Sequence, residues 1–388
     1  MGLRKLAIAT TFSLLAANLF ACGASNAGKT ETTAANTTQA AESSKEEAAG
    51  EKLKIVATNF PAYDFARAVT KGEADVTMLV KPGSETHSYE PSPQDIITIQ
   101  NADLFLYVGG DSDAWVDGIL ESIKKEDSSV FKLMDAVELM EEEHVEGMQE
   151  EEHDHDHDHD HDHDHEHEGE SADHDHEESG DHDHDHEHES DEANSESHDH
   201  DHDHDHDHDH EEVEMDEHVW TSPVNAIQIV KKLEEKLSSL DSAKKEAFEK
   251  NTESYVKELE ELDKSFREVV DSGKRKEIIV ADRFPFSYFC KEYGLSYFAA
   301  FPGCSTDTQP AALTIAFLQD KVKEDGIPVV FHIEMSNEDM VNAISKDTGA
   351  KKMLLNAVHN VTDEDFKAGK TYVDLMKPNV EALKEALN

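Results

Sequence analysis

The sequence predicts an α/β protein of two lobes, each built on a parallel sheet, joined by a long rigid helix. Short apolar runs bounded by Pro and Gly alternate with segments of helical spacing early in the chain, and the same pattern returns late. Such alternation is typical of βαβ units around a parallel sheet. Between the two sets, apolar residues recur every three or four positions, which indicates one amphipathic helix.

The first lobe is predicted from three apolar segments, at 53–58, 74–80 and 104–108. Pro61 follows the first segment and is suited to the first turn of a helix, where its missing N–H leaves no hydrogen bond unmade. The second segment ends at the turn-forming pair Pro82-Gly83. The order strand, helix, strand therefore predicts parallel pairing in this lobe.

The second lobe and the linking helix follow from the later pattern. Four apolar segments predict strands at 278–280, 297–301, 329–333 and 353–355. The helix before them carries apolar residues at Tyr255, Leu259, Leu262, Phe266 and Val269, and Gly273 is expected to end it. We place the first lobe at 52–242, the linking helix at 243–272 and the second lobe at 273–388.

The amino-terminal residues have the pattern of an export signal. Arg4 and Lys5 precede an apolar run at 6–20 that is too short for a comfortable membrane span. Its end, Leu19-Phe20-Ala21-Cys22, resembles the lipobox of bacterial lipoproteins. The resemblance implies a signal peptide at 1–21 and a lipid on Cys22, which would anchor the protein to the outer side of the cell membrane. An ordinary cleaved signal peptide with an incidental cysteine is the alternative.

The segment that follows is predicted to be a flexible stalk, at 22–51. It is made mostly of Ala, Thr, Ser, Asn and Glu and contains no aromatic residue. Such a composition buries too little apolar surface to offset the entropy of ordering.

Charge and cysteine content narrow the function classes. The net charge is -53, which argues against nucleic acid as a partner, because nucleic-acid binding needs patches of Lys and Arg. After Cys22, only Cys290 and Cys304 remain. The sequence leaves open whether these two form a disulfide.

An insertion at 141–217 differs in kind from the rest of the chain and is predicted to be disordered. No Lys or Arg occurs between Leu133 and Val230, and His alternates with Asp or Glu through most of the insertion. Imidazole is the commonest protein ligand for Zn²⁺, and carboxylates add further donors. We therefore expect the tract to collect several zinc ions weakly, because each binding event must order a flexible chain.

A tight site would need histidines that the lobes hold in place. The histidines outside the repeat are His87, His144, His218, His332 and His359. His87 follows a predicted strand and precedes a helix, which is where open α/β sheets place ligands. His218 comes directly after the tract, just before a new helix.

Four motifs together resemble the zinc and manganese solute-binding proteins of ABC transporters. They are Asn59-Phe60-Pro61-Ala62-Tyr63-Asp64-Phe65, His87-Ser88-Tyr89-Glu90-Pro91-Ser92, Trp115-Val116 and His218-Val219-Trp220-Thr221-Ser222-Pro223. The resemblance covers nearly everything from Leu53 onward. It implies that His87 and His218 bind a metal ion in the cleft between the lobes, and that an ABC transporter permease receives the ion.

The second-lobe ligand is less settled by the sequence. The stretch 296–304 offers no imidazole or carboxylate, and Asn356 stands where the family has a late aspartate. We expect His359 to supply this ligand, because it lies in a loop after a predicted strand. Cys304 and Glu334 are further candidates, as are Asp307 and His332, although His332 is expected to pack within its strand.

The expected function is that of an extracytoplasmic solute-binding protein, expected to be a monomer, that carries Zn²⁺. Imidazole ligation without a matched aspartate favours Zn²⁺ over Mn²⁺, which prefers oxygen donors. A manganese-binding transporter component and a surface metal-storage or adhesin lipoprotein are the alternatives. No His-Glu-x-x-His or comparable catalytic grouping occurs, so we do not expect an enzyme.

Overall fold

The structure is a computed structural model that describes residues 51–148, 214–305 and 309–388. The predicted signal peptide, the lipidation at Cys22, the stalk up to residue 50 and the greater part of the His-rich tract lie outside these ranges. Within the described residues, none of the helices combines the length and the apolar character needed to span a membrane.

The first lobe contains a parallel sheet of four strands in the order β2-β1-β3-β4. Its strands are β1 (Leu53–Ala57), β2 (Ala74–Met78), β3 (Leu104–Tyr107) and β4 (Val130–Lys132). The first three were predicted. β4 was not predicted, because it is a three-residue edge strand whose side chains are all only half-buried, and it lacks an apolar run.

Three helices of the first lobe connect these strands: α1 (Phe60–Thr70), α2 (Pro93–Gln100) and α3 (Trp115–Ile123). Asn59 caps α1 by accepting a hydrogen bond from the backbone N–H of Ala62, and Pro61 lies in the first turn as predicted. Ser92 and Asp95 form a capping box at the start of α2. These local signals fix where the loop that carries His87 ends.

The second lobe repeats the architecture with a parallel sheet in the order β6-β5-β7-β8. Its strands are β5 (Glu277–Phe284), β6 (Ser296–Pro302), β7 (Val329–His332) and β8 (Lys351–Leu354). All four match predicted segments. The expectation of two parallel-sheet lobes is therefore confirmed.

The remaining helices join the lobes and cover the second sheet. They are α4 (Pro223–Leu240), α5 (Lys245–Ser272), α6 (Ser287–Tyr293), α7 (Ala312–Glu324), α8 (Asp339–Thr348), α9 (Asp363–Lys367) and α10 (Tyr372–Ala386). The apolar face predicted for the linking helix is buried along α5. At a rise of about 1.5 Å per residue, α5 is roughly 42 Å long.

One buried carboxylate ties α5 to both lobes. Asp64, on α1, accepts hydrogen bonds from the hydroxyl of Tyr255 on α5 (3.2 Å) and from the backbone N–H of Tyr372 on α10 (2.7 Å). Arg67 pairs with the same side chain at 2.5 Å. The lobes are therefore joined here by packing and hydrogen bonds as well as by the chain.

The insertion predicted to be disordered is folded at both of its described ends. Residues 141–148 and 214–217 are described, and Glu141 forms an antiparallel bridge with Met215. The backbone N–H of Asp216 donates to the carbonyl of Met140 at 2.9 Å. Asp216 and Glu217 are buried, which composition alone did not predict. One oxygen of Asp216 accepts hydrogen bonds from His218, and both oxygens of Glu217 accept from Ser112.

Candidate metal centre

Three imidazoles from separate parts of the chain meet in the structure. His87 lies in the loop between β2 and α2, His218 lies just before α4, and His359 follows β8. Their ring centroids are 4.9 to 5.6 Å apart, and one nitrogen from each lies within 4.8 Å of the others. The side chains are only 4%, 0% and 10% exposed, respectively. The sequence prediction that these three histidines lie together is thus matched by the geometry.

Each ring directs one nitrogen into the cluster. Among the described residues, the buried Nε2 atoms of His87, His218 and His359 have no hydrogen-bond partner, whereas every Nδ1 atom of these rings has one. Buried polar atoms without partners are rare in native proteins and call for an explanation. Three such atoms facing one another form a set of lone-pair donors.

The ring of His87 is held through a hydroxyl. Its Nδ1 is 2.8 Å from Oγ of Ser112, and that hydroxyl donates its proton to the carboxylate of Glu217. Because serine has a single hydroxyl proton, Nδ1 of His87 must carry the proton of the ring and donate it to Ser112. This tautomer leaves the lone pair on Nε2.

The ring of His218 is held by Asp216. One oxygen of Asp216 accepts hydrogen bonds from both Nδ1 and the backbone N–H of His218, each at 2.8 Å. Gly303 packs against the Nδ1–Cε1 edge of the ring, where a Cβ atom would come 2.9 Å from Cε1. Any residue larger than glycine at 303 would therefore displace the imidazole.

The ring of His359 is held by Glu334. Oε1 of Glu334 accepts from Nδ1 of His359 at 3.1 Å and from its backbone N–H at 2.7 Å, while Oε2 accepts from the backbone N–H of Ala357 at 2.7 Å. Both carboxylate oxygens are therefore engaged by the loop. Val358, between these partners, has a φ of 60°, a strained conformation for a β-branched residue.

The three rings differ in their affinity for protons. Burial, followed by the proximity of the other histidines, lowers the pKa of His87 and of His359 well below the usual 6.5. Burial acts in the same direction on His218, but the charge and hydrogen bond of Asp216 outweigh it and raise the pKa of that ring. Two of the three imidazoles are thus held neutral, the state in which imidazole binds metals.

The other candidates occupy different positions. Cys304 forms a second group with Glu217 and His218, within 4.8 Å, but burial raises the pKa of its thiol. Cys290 is a free buried thiol, and Cys304 is free as well, so the two do not pair.

His332 donates from Nδ1 to the carbonyl of Ile333 at 3.0 Å and lies outside the cluster. Asp307 is outside the described residues.

The residues that hold the rings were missed by the sequence analysis. Ser112, Asp216 and Glu217 bind the Nδ1 side of the cluster, directly or through one another. A usable signal existed, because Asp216-Glu217 directly precedes His218, and Ser112 follows the carboxyl end of β3, where parallel sheets place functional loops. The acidic character of the tract concealed the first of these signals.

Comparison with known proteins decides the family. A sequence model described as zinc-uptake complex component A, periplasmic, matches residues 55–386. The chain belongs to this family. Membership confirms the resemblance found in the sequence. It also agrees with a binding protein rather than an enzyme.

The relatives are similar along most of this chain. It is 32% identical over 342 residues to the zinc-binding lipoprotein AdcA of Streptococcus pneumoniae R6, covering 88% of this chain but 57% of that protein. It is 31% identical over 338 residues to the high-affinity zinc uptake system protein ZnuA of Bacillus subtilis, covering 87% of this chain and 88% of that protein. The chain thus spans little more than half the length of AdcA.

A solved structure shares the fold. The crystal structure of the Zn(II)-bound ZnuA-like domain of Streptococcus pneumoniae AdcA superimposes with a TM-score of 0.61 at 28% identity. The match covers 87% of this chain and 99% of that domain. The two-lobe architecture is therefore that of the family.

Proposed function

We propose that this protein is the extracytoplasmic solute-binding component of a zinc uptake ABC transporter. It binds one Zn²⁺ tightly through Nε2 of His87, His218 and His359 and delivers the ion to a membrane permease. The observation that carries the proposal is the convergence of three buried, unpartnered Nε2 atoms whose rings are each fixed from the Nδ1 side.

Coordination chemistry supports zinc as the ion. Three imidazoles suit Zn²⁺, whereas Mn²⁺ prefers oxygen donors. Metal-binding histidines usually donate their other N–H to an oxygen acceptor, such as a carboxylate, a backbone carbonyl or water, which orients the ring and raises its basicity. His87, His218 and His359 all follow this pattern.

Water is the simplest fourth ligand. A cavity of about 20 Å³ adjoins the cluster and is lined in part by Ser112, Glu217 and His359, which is room for one water molecule. Cys304 is a weaker candidate because the raised pKa of its thiol disfavours the thiolate that binds metal. Glu334 is weaker too, because the His359 loop engages both of its oxygens.

The relatives support the transport role. The curated relatives are named as zinc-binding or zinc-uptake proteins, and the similar solved domain is zinc-bound. By analogy, a lipid on Cys22 anchors the protein outside the cytoplasmic membrane, the protein acts as a monomer, and its partner is an ABC permease. The His-rich tract then serves as a weak zinc-collecting buffer.

Ligands from both lobes couple metal binding to closure of the lobes. His87 is carried by a loop of the first sheet and His359 by a loop of the second. Metal then favours the closed arrangement over an open one, because only the closed arrangement brings all three nitrogens to the ion. The permease obtains the ion by separating the lobes.

A metal titration tests the proposal. Zinc affinity is measured by calorimetry with chelator competition in a variant lacking residues 151–210, alongside the same titration with Mn²⁺. We expect one tight site for Zn²⁺ and much weaker binding of Mn²⁺. Tighter binding of Mn²⁺, or no tight site in the deleted protein, would contradict the proposal.

A further inference from the structure

An ion pair between the lobes lies at the edge of the histidine cluster. Glu85, two residues before His87, faces Arg283 near the carboxyl end of β5. The guanidinium nitrogens of Arg283 donate to the two carboxylate oxygens of Glu85 at 3.1 and 3.3 Å. Glu85 belongs to the first lobe and Arg283 to the second, so the pair joins the lobes.

The pair separates two cavities. On its outer side lies a cleft of about 360 Å³ at the carboxyl ends of the second sheet, lined by Asp282, Met335 and Asp339 among others. On its inner side lies a cavity of about 10 Å³ that reaches Glu334 and His359. Glu85 and Arg283 line both cavities. Met335 lines both cavities as well, so the ion pair and Met335 together form the wall between the wide outer cleft and the small cavity beside His359.

Another side of the cluster is lined by Trp220, which also borders the cavity of about 20 Å³ described above. Trp220 packs against the rings of His218 and His359, is 1% exposed, and donates from Nε1 to the carbonyl of Ala357 at 2.8 Å. Opening that side would break a buried hydrogen bond and expose a large aromatic ring. The Glu85 side chain is instead 42% exposed and that of Arg283 is 12% exposed, so water reaches the ion pair and the pair separates at lower cost.

The charges of the pair suit a path for a cation. Arg283 alone would repel a divalent ion, and Glu85 neutralises it while the wall is closed. Asp282 and Asp339 add negative charge to the outer cleft.

We propose that the Glu85–Arg283 ion pair is the gate through which zinc passes between the outer cleft and the three imidazoles. This inference rests on the function proposed above. In the closed protein, zinc exchanges only when the two side chains separate, so the strength of the pair sets the exchange rate.

The rate of zinc release tests the gate. Protein lacking residues 151–210 is loaded with zinc and mixed with excess chelator in a stopped-flow instrument, as the parent and as Glu85→Gln and Arg283→Gln variants. Either substitution removes the ion pair, and the amide introduced by Glu85→Gln keeps both the side-chain size and an oxygen that can accept from the backbone. We expect each variant to release zinc about two- to fivefold faster, the scale of a partly exposed ion pair.

The opposite charges of Glu85 and Arg283 distinguish a gate from a direct electrostatic effect on the metal ion. If the two residues acted only through their charge on the metal, Glu85→Gln would speed release and Arg283→Gln would slow it, and that result would overturn the gate. The double variant Glu85→Arg with Arg283→Glu restores a pair of reversed sign, and we expect release close to the parental rate. Higher ionic strength should speed release from the parent and leave the single variants nearly unchanged.

A remote ion pair provides the matched control. Lys323 and Asp347 form a half-exposed pair at 2.6 Å on the second lobe, and Lys323→Gln should leave the release rate unchanged. Thermal unfolding of every variant confirms that it is folded. A parent that binds no zinc would overturn the proposed function, whereas a zinc-binding parent with single variants of unchanged release rate would overturn the gate alone.

Discussion

A single oxygen of Glu334 accepts both the backbone N–H and the ring N–H of His359, at 2.7 and 3.1 Å. The other oxygen accepts from Ala357, so the carboxylate holds the loop and the ring together. This arrangement fixes the direction of Nε2 before any metal arrives. We therefore expect Glu334 to position the ring of His359, although the sequence also allowed it to be a ligand.

Replacing Glu334 by Gln should weaken zinc binding without abolishing it. The amide cannot accept all three hydrogen bonds, so the ring loses part of its orientation, and loss of such an outer partner typically costs about 10- to 100-fold in metal affinity. Chelator competition on protein lacking residues 151–210 measures the change. A loss as large as that of His359→Ala would identify Glu334 as a direct ligand.

Alanine substitution of His87, His218 or His359 should each remove one metal ligand. If a total of about 10–16 kcal/mol is shared among four ligands, each loss costs roughly 3 kcal/mol, which is about a hundredfold in affinity. The same titration is the measurement, and Cys304→Ser is the control, expected to bind zinc as the parent does. Tight binding by His359→Ala together with weak binding by Cys304→Ser would reassign the second-lobe ligand.

Deleting residues 151–210 should remove several weak zinc sites and leave the tight one. The deleted segment alternates His with Asp or Glu. Its imidazoles must lose protons to bind metal, so weak binding should fade as the pH falls towards and below about 6.5. Calorimetric titration of the full and deleted proteins at several pH values measures the stoichiometry. Disappearance of the tight site on deletion would refute this division of labour.

Asp113 should make the metal-free protein less stable as the pH rises. Burial raises the pKa of its carboxyl to about 7, although the backbone N–H groups of Val108 and Gly109 donate to it at 2.7 and 3.1 Å. Because the pKa of Asp113 is higher in the folded state than in the unfolded state, its protonation contributes to the free energy of unfolding. This contribution is fully present below about pH 4 and is lost as the pH rises through about 7.

The Asn variant isolates this effect. Asp113→Asn keeps an oxygen that can accept both backbone hydrogen bonds and has no charge to bury. Thermal unfolding between pH 5 and 8 should therefore show a flatter dependence of Tm on pH for Asp113→Asn than for the parent. Equal slopes in the two proteins would show that the Asp113 carboxyl does not titrate in this range.

The sequence was most informative where a pattern repeats within one element. Apolar runs located seven strands, and the spacing from Tyr255 to Val269 located α5, because these signals are local. The edge strand β4 has no such run and was missed. His87 and His218 were found through motifs, and His359 through its place after a strand.

Contacts between distant parts of the chain could not be predicted in the same way. The link from His87 through Ser112 to Glu217 joins three loops, and no spacing in the sequence reports it. Arg283 lies at the end of a predicted strand, but its partner Glu85 is 198 residues away. Composition also misled at Asp216 and Glu217, because the hydrogen bonds from His218 and Ser112 that accompany their burial form only in the folded chain.

Because Glu141 and Met215 form a bridge, the geometry of the histidine cluster does not depend on the length of the insertion. The two ends of the insertion meet at this pair, only three residues before His218. The entropy of closing a flexible loop grows slowly, by about 0.6 kcal/mol for each doubling of its length. The number of donor residues in the insertion can therefore change greatly, by natural variation or by engineering, at little cost to stability and without moving a ligand.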